Sequence, residues 1–195
     1  MANWCGNVIE IKGEKDHLEK LKDKIANGQN GSTNFMEYLI GLGNIPDDYH
    51  QGGWYEYNCE RFGTKWDFPF IEVVYHLNED SISIEVGSAW SPIIPFLSIL
   101  CKMYNVSATI LYDEPGEDFG GKAEIDSKGK ICNHLCSYKE ALYLYHNEYF
   151  WESVGSDFED QFYDDYEEMT QSLHFVSDED KVKIDVMWNA NKYNL

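Results

Sequence analysis

No stretch of this 195-residue chain stays apolar for the roughly 18 residues that a membrane-spanning helix needs, and no basic segment followed by an apolar one opens it. The expectation is a soluble cytoplasmic protein with no membrane partner. Lys and Arg are scarce: 15 stand against 35 Asp and Glu, a formal net charge of −20. Between Glu140 and Asp180 there is no Lys or Arg at all, while 13 acids fall there. Such a surface repels phosphate backbones, so direct nucleic-acid binding is not expected, and the same surface attracts a basic protein.

Catalytic signatures are missing too. There is no Gly-x-Ser-x-Gly, no phosphate loop and no His-Glu-x-x-His, and His17, His50, His76, His134, His146 and His174 are scattered. The chain therefore reads as non-enzymatic. Its five cysteines, Cys5, Cys59, Cys101, Cys132 and Cys136, are odd in number and sit in core-like contexts, which fits reduced thiols rather than a disulfide framework. Cys132, His134 and Cys136 lie close together, but a structural zinc site takes four ligands in two spaced pairs and no second pair is visible. Asp113, Glu114, Glu117 and Asp118 read as solvated turn acids rather than cation ligands. No metal or other cofactor is expected.

What is present is the material of a folded domain, 43% hydrophobic and 15% aromatic, in a chain long enough for one good-sized core or one core and an appendage. After Gly6 the residues alternate, Asn7, Ile9 and Ile11 on one face and Val8, Glu10 and Lys12 on the other, which predicts a strand. Glu14 to Ala26 carries Leu18, Leu21 and Ile25 at helical spacing, with Gly28 as a stop. Phe35 to Leu42 fits either a short strand or a helix, and Trp54 to Phe62 fits a short helix closed by Gly63. Phe70 to Leu77 and Ser81 to Val86 predict a hairpin. Ser91 is expected to cap a helix with Pro92 and Pro95 near its start and Phe96, Leu97, Leu100, Cys101 and Tyr104 as its buried stripe. Val106 to Tyr112 returns to period two.

Strand, helix, insertion, strand, strand, helix, strand is the β-α-β-β-α-β order of the α+β ferredoxin-like fold, an antiparallel sheet with two helices on one face. An extra hairpin from Gly121 to Cys132 follows, turned at Ser127-Lys128-Gly129. Beyond it, Leu142, Tyr145, Tyr149, Phe158, Phe162, Tyr166 and Leu173 recur at three and four, predicting two helices. A third is expected from Asp178 to Asn191 with Val182, Val186 and Met187 inward. The chain thus divides into a ferredoxin-like domain, 1–137, and an acidic helical appendage, 138–195.

Asn3-Trp4-Cys5 with Asn7, Gly63-Thr64-Lys65-Trp66-Asp67, Ala89-Trp90-Ser91-Pro92, and Tyr112-Asp113-Glu114-Pro115-Gly116 with Phe119 and Gly121 together resemble the YubB-type ferredoxin-like domain of phage and plasmid proteins, over about residues 1–125. Arg61 and Phe62 stand where that family usually has Asn and Trp, and Ile93 where it often has a second Pro. The resemblance implies the fold and a mobile-element origin; it carries no established activity.

Two groups of residues are candidates for function. Glu60 to Asp67 and Ala89 to Pro92 read as loops that meet at a corner, where Trp54, Lys65, Trp66, Asp67 and Trp90, with Trp4 and Tyr55, either pack structurally or line a pocket for a nucleotide-type small ligand. In the acidic region Glu152, Asp157, Glu159, Asp160, Asp164, Asp165, Glu167 and Glu168 are interleaved with Tyr143, Tyr145, Tyr149, Phe150, Trp151, Phe158, Tyr163 and Tyr166. These either form a solubilising face or bind a partner, rings supplying contact area and acids steering. The expected function is a phage- or plasmid-encoded inhibitor of a basic, nucleic-acid-handling host defence protein, of the CRISPR-effector or restriction type. It would act in the host cytoplasm, partly by acidic mimicry of nucleic acid. The small-ligand pocket is the alternative.

Overall fold

Alternation along β1 (Trp4–Lys12) sends Cys5, Asn7, Ile9 and Ile11 inward and leaves Trp4, Val8, Glu10 and Lys12 exposed, which makes this strand the natural centre of a sheet with two unlike faces. The computed structural model describes residues 3–28, 34–159 and 171–193. β3 (Ser81–Ala89) and β4 (Ser107–Glu114) flank β1 antiparallel, with Ile9 opposite both Ile84 and Ile110. β2 (Val74–Leu77) lies outside β3, while β5 (Phe119–Ile125) and β6 (Ile131–Cys136) extend the sheet beyond β4. The order β2-β3-β1-β4-β5-β6 contains the ferredoxin-like four in its first four places. Its two crossovers run through α1 (Lys15–Gly28) and α4 (Ile94–Tyr104).

The inner face, through Ile9, Ile11, Ile84 and Ile110, shares one core with Leu18, Leu21 and Ile25 of α1 and Phe96, Leu97 and Leu100 of α4. The insertion supplies α2 (Phe35–Ile40) and α3 (Trp54–Phe62), which add Phe35, Met36 and Phe62 to that core. A second core joins α5 (Tyr138–Tyr145), α6 (Asn147–Glu159) and α7 (Asp178–Tyr193) through Leu142, Phe150, Val154, Leu173, Val176 and Ile184. Ser137 caps α5 by accepting the Glu140 N–H. α5 also lies on the outer sheet face, close enough that a Cβ on Gly120 would stand 2.5 Å from that of Ala141.

Three expectations are corrected, and the open choice between strand and helix at Phe35 to Leu42 is decided. Phe70–Glu72 is a 3₁₀ turn closed by the Glu72 N–H on the Pro69 carbonyl, so the strand begins only at Val74. Residues 35–40 are helical, because the Asp67 carboxylate receives the N–H groups of Met36 and Glu37 and so satisfies the donors that open a helix. Ser91 does not cap α4; its hydroxyl donates to the Gly63 carbonyl at 2.6 Å. Val182 and Val186 point outward, 62% and 64% exposed, whereas Ile184 is buried with Met187 and Trp188 beside it. The start of α7 is tied by Tyr143, whose hydroxyl donates to Asp180 and accepts from the Ser177 N–H, a tie consistent with the face that packs inward.

Candidate functional site

The two Trp-bearing loops do meet. Gly63 closes α3 at φ +84, a left-handed conformation that glycine adopts without Cβ strain. Next to it the Thr64 hydroxyl accepts the Ala89 N–H and donates to the Ala89 carbonyl. The Ser88 hydroxyl donates to the Ser91 carbonyl. Behind them Asn7, buried, donates to the Cys5 and Val86 carbonyls and to the Ser88 hydroxyl and accepts the Ile93 N–H.

On this frame Lys65 holds its ammonium between two indoles, 4.6 Å from the Trp66 ring centre and 4.5 Å from that of Trp90. Tyr55 meets Trp90 edge-on and Trp54 meets Tyr55 in the same way. Four of the five proposed pocket residues are therefore brought to one corner. The fifth is not available there: both oxygens of Asp67 accept backbone N–H groups, from Met36 and Phe68 on one and Glu37 on the other. Burial pushes this carboxyl up, and the three N–H donors oppose that rise. Arg61 completes the brace of α2, its guanidinium donating to the Ile40 and Gly41 carbonyls at the other end of that helix. Trp4 lies on the outer sheet face over Gly87.

Of the proposed partner-binding acids, Glu152 is exposed on α6. Asp157 and Glu159 belong to the same helix, but their side chains, like the whole of Asp160, Asp164, Asp165, Glu167 and Glu168, lie outside the described residues. The interleaved rings divide. Tyr143 and Phe150 join Phe175 inside the second core, Tyr145 bonds the His134 imidazole through its hydroxyl, and Tyr149 is 63% exposed.

Between α5–α6 and the sheet opens a cleft of about 520 Å³, lined by Val8, Asp113, Tyr138, Leu142, His146, Tyr149, Glu152 and Ser153. Among the described residues no Lys or Arg lines it. Burial raises the Asp113 carboxyl, while nearby His146 pulls the other way. Val8 is not among the residues expected from the sequence to line a site, although an apolar residue on the outward face of β1 is the available signal.

Cys132, His134 and Cys136 share one face of β6, but Cys136 leans onto the Gly120 carbonyl and His134 onto Tyr145. Burial pushes the Cys5 and Cys101 thiols up to about 12. In native protein a thiol reagent should therefore modify exposed Cys132 first and reach Cys5 and Cys101 only on unfolding. Because unfolded thiols ionise near 9.0, the folded chain holds these two protons longer, so stability should fall as pH rises from 9.0 toward about 12. Early modification of Cys5, read by mass spectrometry, would contradict this burial.

The fold and the outer-face cleft define a ferredoxin-like α+β protein with a helical region laid against its sheet. Residues 70–164 match the family model described as "Ferredoxin-like domain in Api92-like protein", a span that crosses from the sheet into α5 and α6. Among solved structures, the protein api92 from Yersinia pseudotuberculosis is similar at 10% identity and a TM-score of 0.48, over 71% of this chain and 98% of that one. No curated protein matches the chain. The YubB-type likeness rests on the four sequence motifs alone. No helix among the described residues is long and apolar enough to cross a membrane.

Proposed function

We propose that this chain is a non-enzymatic binding protein of phage or plasmid origin that blocks a basic host protein engaged on nucleic acid, a defence nuclease of the CRISPR-effector or restriction kind. It acts in the host cytoplasm, in part by presenting carboxylates where its partner holds phosphates. The observation that carries this reading is the cleft against α6, where an exposed Tyr149 ring stands beside Glu152, Asp113 and His146 and, among the described residues, no Lys or Arg lines the walls. A large exposed ring among acids combines contact area with steering of a positive surface. The YubB-type motifs and the net charge of −20 point the same way. The Trp corner is the weaker seat for a ligand, since Lys65 already occupies the space between Trp66 and Trp90.

The test is capture by tagged full-length chain from nuclease-treated bacterial lysate at low and high salt, with and without added DNA. A basic nucleic-acid enzyme released by salt and by DNA is expected. Retention unchanged by either treatment would sink the mimicry. Truncation after Ser137 is a poor substitute, because α5 covers part of the sheet through Ala141 on Gly120.

A further inference from the structure

The outer face of the sheet is covered unequally. α5 roofs β5 and the neighbouring part of β4, with Ala141 on Gly120. α5 and α6 reach β1 only at the edges of two hollows, and beyond them the face exposes Val8 (45%) and Val74 (53%). The register sets Val74, Glu85, Val8 and Leu111 side by side in one row across four strands. Leu144 and Tyr145 of α5 form a wall along this row, enclosing a trough of about 470 Å³ with Val8, Leu111, Glu10 and Glu85 in its lining. Val8 also lines the cleft against α6, so the two hollows meet at that side chain.

Charge says what such a trough accepts. Glu85, Asp113 and Glu152 border the two hollows, and among the described residues no Lys or Arg forms an ion pair with any of them. The cation in the lining, Lys122, is held by Glu124 at 2.6 Å. Sheets commonly bury an apolar face under helices, and a helix about 10–12 Å across is an element that could lie alongside α5.

We propose that this trough seats a basic amphipathic helix of the partner protein, its apolar stripe on Val8, Leu111 and Leu144 and its Lys or Arg residues toward Glu85, Asp113 and Glu152. The inference rests on the reading of the chain as a binder of basic proteins and locates the contact. A second copy of this chain, also at −20, is a poor occupant for a hollow bordered by acids.

The experiment compares full-length protein with the double variant Val8→Lys/Leu144→Lys and with Ile71→Lys/Met103→Lys, which makes the same charge change at exposed positions off the trough. The probes are a synthetic amphipathic Leu/Lys helix and a Lys/Ser peptide of equal charge, titrated at moderate salt. The amphipathic helix is expected to bind the native chain and the control variant alike, and to bind Val8→Lys/Leu144→Lys roughly tenfold or more weakly. The Lys/Ser peptide should separate the two variants little. Equal loss in both variants, or no loss in either, overturns the proposal. So does a dimer of the native chain that only the trough variant dissolves, since the occupant would then be a second copy. Lysate capture distinguishes the two levels. A basic protein still retained by the trough variant removes the trough and leaves the binding function standing; no salt-sensitive capture by the native chain removes both.

Discussion

Replacing Gly63 with alanine is expected to cost about 3 kcal/mol or more and to lower the melting temperature by roughly 6–12 °C. Two effects add. The residue sits at φ +84, where any Cβ is strained, and that Cβ would come within 2.6 Å of the Pro92 carbonyl oxygen and of the Pro95 ring. A backbone carbonyl and a proline ring at the entry to α4 cannot step aside as a flexible side chain would, so the corner itself must open. Gly41→Ala is a comparison with strain and no clash. Its backbone, at φ +70 and ψ 165, is in a glycine-only region where strain alone costs about 1–3 kcal/mol, and no atom lies within 4 Å of the added Cβ. A cost for Gly63→Ala below about 1 kcal/mol would show that neither effect operates at the corner.

The second large effect is expected at Asn7. Its amide is buried and makes four hydrogen bonds, one within β1 to the Cys5 carbonyl and three that join β1 to β3 and to the residue before α4. Asn7→Leu keeps much of the volume and removes every one of them, leaving the Ile93 N–H without an acceptor. An uncompensated buried polar group costs about 1–3 kcal/mol, so the total expected in denaturant unfolding is about 3–5 kcal/mol. Asn7→Asp refines the account. The carboxylate can still accept from Ile93 but no longer donates to the Cys5 and Val86 carbonyls, and a buried charge is added. Burial raises such a carboxyl in the folded state, so this variant should gain stability as pH falls and the acid is protonated. A cost below about 1 kcal/mol for Asn7→Leu would mean that the network is dispensable.

Much of the fold is legible in the order of residues. Period two in β1, β3 and β4 and the spacing of Leu18, Leu21 and Ile25 need only backbone geometry to be read, and the element order then selects the ferredoxin-like topology. The corner is legible as well, because Gly63 ending a helix and a Trp-Ser-Pro turn are local signals. What each side chain does there is not. Asp67 has the look of a pocket acid until the chain brings the start of α2 onto it. The rotation of α7 is equally silent, since Val182, Val186 and Ile184 are all apolar and only the packing of Ile184, Met187 and Trp188 in the second core shows which turns inward.

The sequence by itself determined most of the elements, their order and the net charge, because these follow from composition and from the geometry of near neighbours along the chain. Only the tertiary structure decided that Lys65 fills the space between Trp66 and Trp90, that α5 roofs one half of the outer sheet face, and that Val8, Leu111 and Leu144 come together on the other half. Those contacts join residues far apart in the chain. No local periodicity encodes which of two faces a later helix will cover.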